Sequence, residues 1–203
     1  EMLTLPLLRK MLNRAGTELK ANSKYLCELD SVAGDGDHGI TIGRMADVMK
    51  EKTEDTTIDT MRVLLDELGD AFMGINGGSA GPLWGTVFTG MAEGIDDQAE
   101  LTDLELRKMF TQAKEDFMDI SKAKPGDKTM VDALYPAIDA IIETQGSLKE
   151  IMTAAAAAAD AGAEQTSTMV ARFGRAKNMG ERSIGTKDPG AVSIAILFNG
   201  MAQ

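Results

Sequence analysis

The sequence predicts an all-α fold, and three observations carry the prediction. Apolar residues recur at helical spacing in several separate stretches. No segment shows a clean two-residue alternation bounded by hairpin turns. Glycine and proline gather at joints between the periodic stretches. At 203 residues the chain can bury one substantial core, and it is read as a single domain over 1–203. Aromatics make up 4% of the residues while Met reaches 14, so the core relies on aliphatic and thioether packing.

The first helix is marked by Leu5, Leu8, Leu12 and Leu19. A second periodic stretch runs through Ile58, Met61, Leu64, Leu65, Leu68 and Phe72, and a third through Leu101, Leu104, Leu106, Met109, Phe110 and Phe117. The alanine run Ala154 to Ala159 lies between Leu148 and Met169 in a stretch without proline, where helix propensity favours one long helix with a narrow packing face. The joints are Gly34 to Gly39, Gly74 to Gly81, Pro125 to Gly126, Gly146, and Gly174 to Gly190. They divide the chain into roughly eight helices, and most connections are short enough for antiparallel neighbours in a bundle or closed helical ring. The exception is Arg172 to Asp188, which has no periodicity. It sets Arg172, Arg175, Lys177, Arg182 and Lys187 against Glu181 and Asp188, a basic segment in an acidic protein.

The net charge of −11 argues against a nucleic-acid partner held by phosphate neutralisation, so an anionic ligand has to be held locally, by a metal or a basic loop. No run of 18 apolar residues occurs and no cleavable leader is visible, so no membrane partner is expected. With Cys27 as the single cysteine, a cytoplasmic protein is expected.

The densest chemical feature is the stretch from Leu29 to Gly39, which holds Asp30, Asp35, Asp37 and His38 among glycines. Clustered carboxylates repel unless a cation sits among them, and carboxylate oxygens suit a hard ion such as Mg²⁺ or Ca²⁺. The plain alternative is a solvated acidic turn that ends in a helix cap. An EF-hand opening at Asp35 fails, because its twelfth position is Ala46 and Gly39 falls on a ligand position. Gly34, Gly36 and Gly39 spell a dinucleotide fingerprint, but no strand precedes them. Gly77 to Gly81 matches the serine-hydrolase elbow, yet the only histidine, His38, comes before the serine. No P-loop sequence occurs. Gly77 to Gly81 is left as a glycine-rich turn entering a helix near Ser79, either a phosphate cradle or a close-packing turn.

Four separated motifs in order resemble the ADP-binding L subunit family of the dihydroxyacetone kinases. They are Gly34 to Gly39, Gly77 to Thr86, Lys124 to Met130, and Gly174-Arg175 through Gly185 to Asp188-Pro189-Gly190. The resemblance spans nearly the whole chain. It implies an eight-helix antiparallel barrel with a nucleotide site in the interhelical loops at one end. It also implies ADP and two Mg²⁺ as cofactors, the metals on Asp30, Asp35 and Asp37. His38, Gly39, Ile40 and Thr41, with Ser79 and Ala80, are expected near the phosphates. Ser121, Thr129 and Met130 are expected around the adenine, with Arg175, Asp188, Pro189 and Gly190 closing the site. Arg175 is the candidate catalytic residue, and the basic segment is expected to act as a clamp or lid.

For a chain of this length the family type is the one driven by the phosphoenolpyruvate phosphotransferase system. The resemblance then implies two partners: a phosphohistidine donor subunit and a separate dihydroxyacetone-binding subunit. It leaves self-association into a homodimer open. Phosphoryl transfer asks for in-line positioning and charge neutralisation, so no general base is required of this chain. Two alternatives stand beside this reading: the L part of an ATP-dependent short-ketose kinase, and a nucleotide-loaded regulatory module. For His38, phosphate binding is preferred to proton transfer or phosphoryl acceptance.

Overall fold

The computed structural model describes residues 2–203; Glu1, the first position of the expected domain, lies outside the described residues. A two-residue strand β1 (Leu3–Thr4) leads into α1 (Leu5–Ala21) and α2 (Ser23–Ser31). Then come α3 (His38–Glu54), α4 (Met61–Met73), α5 (Ala80–Glu93), the short strand β2 (Glu100–Leu101), α6 (Asp103–Ile120), α7 (Val131–Glu143), α8 (Leu148–Gln165) and α9 (Pro189–Ala202). Two 3-10 stretches, Thr166–Thr168 and Arg175–Ser183, occupy the α8–α9 connection.

Local chemistry sets many of the boundaries. Thr4 and Thr60 cap α1 and α4 through their hydroxyls, and Thr102 with Glu105 and Ser147 with Glu150 form capping boxes on α6 and α8. Asn22 splits what would be one long first helix: its amide donates to the carbonyls of Glu18 and Leu19, and its side-chain amide also donates to Glu18 O at 2.8 Å. A break there turns the expected eight helices into nine among the described residues.

The eight-helix barrel is nonetheless what forms. Each of α1, α3, α4, α5, α6, α7, α8 and α9 packs on the next, and α9 returns to α1 to close the ring, with α2 wedged between α3 and α9 at one end. The interior is aliphatic, with few aromatics: Phe72 meets Trp84 and Phe88 edge-on at centroid distances of 6.4 and 5.1 Å, and Phe117 meets Tyr135 edge-on at 6.0 Å.

Closure rests on small residues. A β-carbon on Gly200 of α9 would run into the Ala15 backbone of α1, so the two helices meet almost backbone to backbone. The α7–α8 seam uses a similar device. Pro136 lies inside α7 and has no amide to give the carbonyl of Asp132 four residues earlier, and Gly162 of α8 packs against that carbonyl.

The up-and-down path sends connections 32–37, 74–79, 121–130 and 166–188 to one end of the barrel and 55–60, 94–102 and 144–147 to the other. At that other end β1 pairs antiparallel with β2, Leu3 opposite Leu101, the one strand pairing among the described residues. No described helix is long and apolar enough to cross a membrane.

Candidate functional site

A cavity of about 540 Å³ opens at the first of these ends, a volume suited to a mononucleotide-sized ligand. The starts of α3, α5, α7 and α9 all contribute to its wall, so four positive helix ends converge on one space. The residues preceding α3, α5 and α7 make no capping bond with their own side chains, whereas Asp188 caps α9 by accepting from the Ala191 amide at 2.9 Å.

The carboxylate cluster forms as expected. Asp30 at the end of α2, Asp35 in the loop and Asp37 before α3 each offer an oxygen, and these ligand atoms all lie within 4.8 Å of one another. One oxygen of Asp30 accepts the amides of Asp37 and His38, both at 3.0 Å, which locks the loop onto the start of α3. Asp37 makes no capping bond to the start of α3. The side-chain interaction between the adjacent Asp35 and Asp37 carboxyls holds Asp35 below and pushes Asp37 above the usual carboxylate range. A hard divalent cation would relieve this crowding of carboxylates, and the all-oxygen donor set fits Mg²⁺.

His38 lines the cavity with its ring against α9. Nε2 lies 3.1 Å from Ser193 Oγ, and that hydroxyl donates to Gly190 O at 2.9 Å. A serine already donating must accept from the imidazole, so Nε2 carries the hydrogen in this arrangement. Burial pushes the His38 pKa down, with the Asp30 charge and the Pro189 backbone pulling the other way. The ring is neutral near pH 7.

Thr41 is buried and donates to Gly77 O at 3.2 Å. Gly77 and Gly78 have φ of 111° and 69°, a left-handed pair that turns the chain so that Ser79 and Ala80 open α5 toward the cavity. The turn also packs closely, since a β-carbon on Gly81 would meet the carbonyls of Phe72 and Ile75. The other side of the cavity is largely apolar: Leu83, Trp84, Phe117, Ala123, Met130 and Val131 form it, with Ser121 and Thr129 supplying hydroxyls. Asp188, Pro189 and Gly190 close it from α9.

Two expected residues do not reach the wall. Gly39 is pressed against the Ser23 carbonyl, and Ile40 is 53% exposed on the outside of α3. The basic segment is also less of a clamp than its charge count implied. Arg175 lines the cavity and its guanidinium lies 3.4 Å from Asp35, but Lys187 turns away to Glu164 at 3.2 Å, and Arg172, Lys177 and Arg182 stay off the wall.

Sequence reasoning missed three buried polar groups. Asp132 takes the amides of Gly126 at 2.6 Å and Thr129 at 3.0 Å, and so shapes the 124–130 turn. Ser193 holds His38. Lys128 is 6% exposed beneath the α8–α9 connection. Burial also pushes the Asp188 carboxyl up to about 7 against the pull of the Ala191 amide and Lys128, and burial lowers Lys128 in turn.

Comparisons with known proteins agree with this geometry. The DAK2 domain matches residues 32–203. The chain is 35% identical over 194 residues to the ADP-binding subunit DhaL of the PEP-dependent dihydroxyacetone kinase of Escherichia coli (strain K12), covering 94% of this chain and 92% of that one. It is 36% identical over 198 residues to an L-erythrulose kinase of Pectobacterium atrosepticum, covering 94% of this chain but 33% of the relative. Among solved structures, the dihydroxyacetone kinase from C. freundii in complex with AMP-PNP and Mg²⁺ superposes with a TM-score of 0.73 at 25% identity, over 100% of this chain and 34% of that chain. With a domain match over most of the sequence and a relative matched along nearly its full length, the chain belongs to the DAK2 domain family.

Proposed function

We propose that this chain is the ADP-binding subunit of a dihydroxyacetone kinase driven by the phosphoenolpyruvate phosphotransferase system. When bound, ADP with two Mg²⁺ supplies the phosphoryl carrier between a phosphohistidine on a donor subunit and dihydroxyacetone on a separate subunit. The observation that carries the reading is the convergence of Asp30, Asp35 and Asp37 with four helix N-termini on one cavity.

The residues divide the work by chemistry. Asp30, Asp35 and Asp37 offer hard oxygen donors, while the α5 start at Ser79 and Ala80 offers amides to phosphate oxygens. Neutral His38 presents a hydrogen-bonding ring beside them without adding charge. Arg175, next to Asp35, is in position to neutralise charge on a transferring phosphoryl group. The apolar wall around Met130 suits a purine base.

The partners have to meet the cavity mouth. Several exposed apolar side chains, Val32, Ile40, Met118, Ile120, Phe173 and Ile184, stand on the elements that rim it, which supports docking of a partner protein there. The same reading proposes the cytoplasm as the compartment of the reaction.

A second reading has its own observation: the erythrulose kinase relative is about three times as long as the matched segment, which favours an ATP-dependent kinase with the ketose site on the same polypeptide. The match along 92% of the separate E. coli subunit supports the first reading. Mass spectrometry of the purified chain, followed by incubation with a phosphohistidine donor protein or with free ATP, separates the two. Retained ADP phosphorylated by the donor is expected. Rapid exchange with free ATP would overturn the carrier reading, and retained ADP that neither donor phosphorylates would favour a regulatory module.

A further inference from the structure

Lys128 is the one non-glycine residue with positive φ, 63°, among the described residues, and it is buried. Such a conformation in a lysine is held by its surroundings. Its ammonium has three hydrogens and three carbonyl acceptors: Met169 O at 3.4 Å, Thr186 O at 2.6 Å, and Ser183 O. The acceptors lie 41 to 58 residues further along the chain, at the two ends of the α8–α9 connection. Ser183 Oγ reinforces the same closure by accepting the Ala171 amide at 2.9 Å. The base of this long loop is therefore pinned to the turn before α7, and the part between the pins carries Arg175.

Arg175 cannot place itself. Its side chain is 71% exposed and its one ion pair among the described residues is the 3.4 Å approach to Asp35. Where the guanidinium stands is decided by the backbone of the loop. Lys128 in turn is followed directly by Thr129 and Met130 on the opposite wall of the cavity, so a single side chain ties the two walls together.

We propose that Lys128 is a positioning residue for the nucleotide site: its ammonium staples both ends of the 169–186 loop and thereby sets Arg175 over the acidic cluster. All three of its hydrogens are committed to carbonyls, so it acts through the loop and not as a phosphate ligand. The inference rests on the cavity being the ADP site.

The test uses Lys128→Asn and Lys128→Gly, residue types that tolerate positive φ, so that loss of the ammonium is read without added backbone strain. Mg-dependent ADP affinity is measured by calorimetry, amide exchange by mass spectrometry, and both again in an Arg175→Ala background. Both variants are expected to keep the wild-type helical content and to bind ADP about tenfold more weakly or worse. Exchange should rise within 169–187 alone, and in the Arg175→Ala background the Lys128 change should alter affinity by less than about twofold. Affinity within about twofold of wild type overturns the proposal, as does unchanged exchange in the loop. A full additional loss in the Arg175→Ala background would make Lys128 a direct ligand. Failure of both variants to fold would make it a support of the whole domain and equally overturn a site-specific role. If the wild-type protein itself binds no ADP, it is the assignment of the cavity that fails.

Discussion

Asp30 holds the amide of His38 at 3.0 Å, and through that bond the end of α2 is fastened to the start of α3. One carboxylate thus serves two purposes, since the same side chain contributes to the cation-binding cluster. Its neighbours in the cluster do not share the first purpose. Asp30→Ala is therefore expected to lower the stability of the metal-free protein by about 1–2 kcal/mol, as the loss of a helix-start acceptor does. Urea unfolding in EDTA measures it.

Asp35→Asn and Asp37→Asn remove charge from oxygens that support no backbone. Stability without metal should stay within about 0.5 kcal/mol of wild type. Mg-dependent ADP affinity should fall roughly 100-fold or more, because the cation loses an anionic ligand. Calorimetric titration with and without Mg²⁺ checks both halves of the statement.

Cation uptake should also follow the proton on Asp37. Its pKa is raised by the hydrogen bond with Asp35, so it keeps its proton to higher pH than an ordinary aspartate. A cation needs the ionised form. Mg-ADP affinity should accordingly weaken on acidification through that raised pKa, with proton release on binding that grows as the pH is lowered toward it. Titrations in buffers of different ionisation enthalpy report the released protons.

Asp188 gives the fold a pH dependence of its own. Burial pushes its carboxyl up to about 7 in the folded protein, against an ordinary value of 3.8. Between those values the folded state holds a proton that the unfolded state has released, so this group's stabilising contribution is complete below the lower value and lost as pH rises through the upper one. Asp188→Asn keeps an oxygen for the Ala191 amide and removes the titration. Its stability relative to wild type should rise between pH 5 and pH 8 by a few kcal/mol at most, about 1–3 once partial relaxation is allowed for. Unfolding curves of the two proteins at both pH values decide it.

Ring closure is open to a simple steric test. Gly200→Ala places a methyl group against the Ala15 backbone, and overpacking of this kind is expected to destabilise the barrel by about 1–3 kcal/mol. Thermal unfolding measures it.

What the sequence made legible follows from which signals are local. The amphipathic helices α1, α4 and α6 announce themselves by spacing because each has a wet face. α9 does not: Ala191, Val192, Ile194, Ala195, Leu197, Phe198 and Met201 are buried nearly all round, so its apolar pattern carries no period. The closure of α9 on α1 depends on Gly200 meeting Ala15, a pairing of small residues far apart in the chain. The Leu3–Leu101 strand pair is too short to show as alternation.

The same contrast runs through the site. Asp30, Asp35 and Asp37 were legible because they are neighbours in sequence and chemically alike. Lys128 and Ser193 were not: a lysine in a glycine- and proline-rich turn reads as solvated, and a serine in an apolar helix reads as a filler. Their roles arise from partners 41 to 58 residues away for Lys128 and 155 residues away for Ser193. The resemblance implied Gly39 and Ile40 together with His38 and Thr41, but helical geometry turns adjacent residues to different sides.

The alternation of connections between the barrel's two ends has a consequence for how such a unit can be joined to others. β1 and the last turn of α9 both lie at the end away from the cavity, where Leu3 is paired with Leu101. Polypeptide attached at either terminus would leave the mouth clear. The architecture is therefore as serviceable when tethered inside a larger enzyme as when it stands by itself, and the chain is similar to relatives of both lengths.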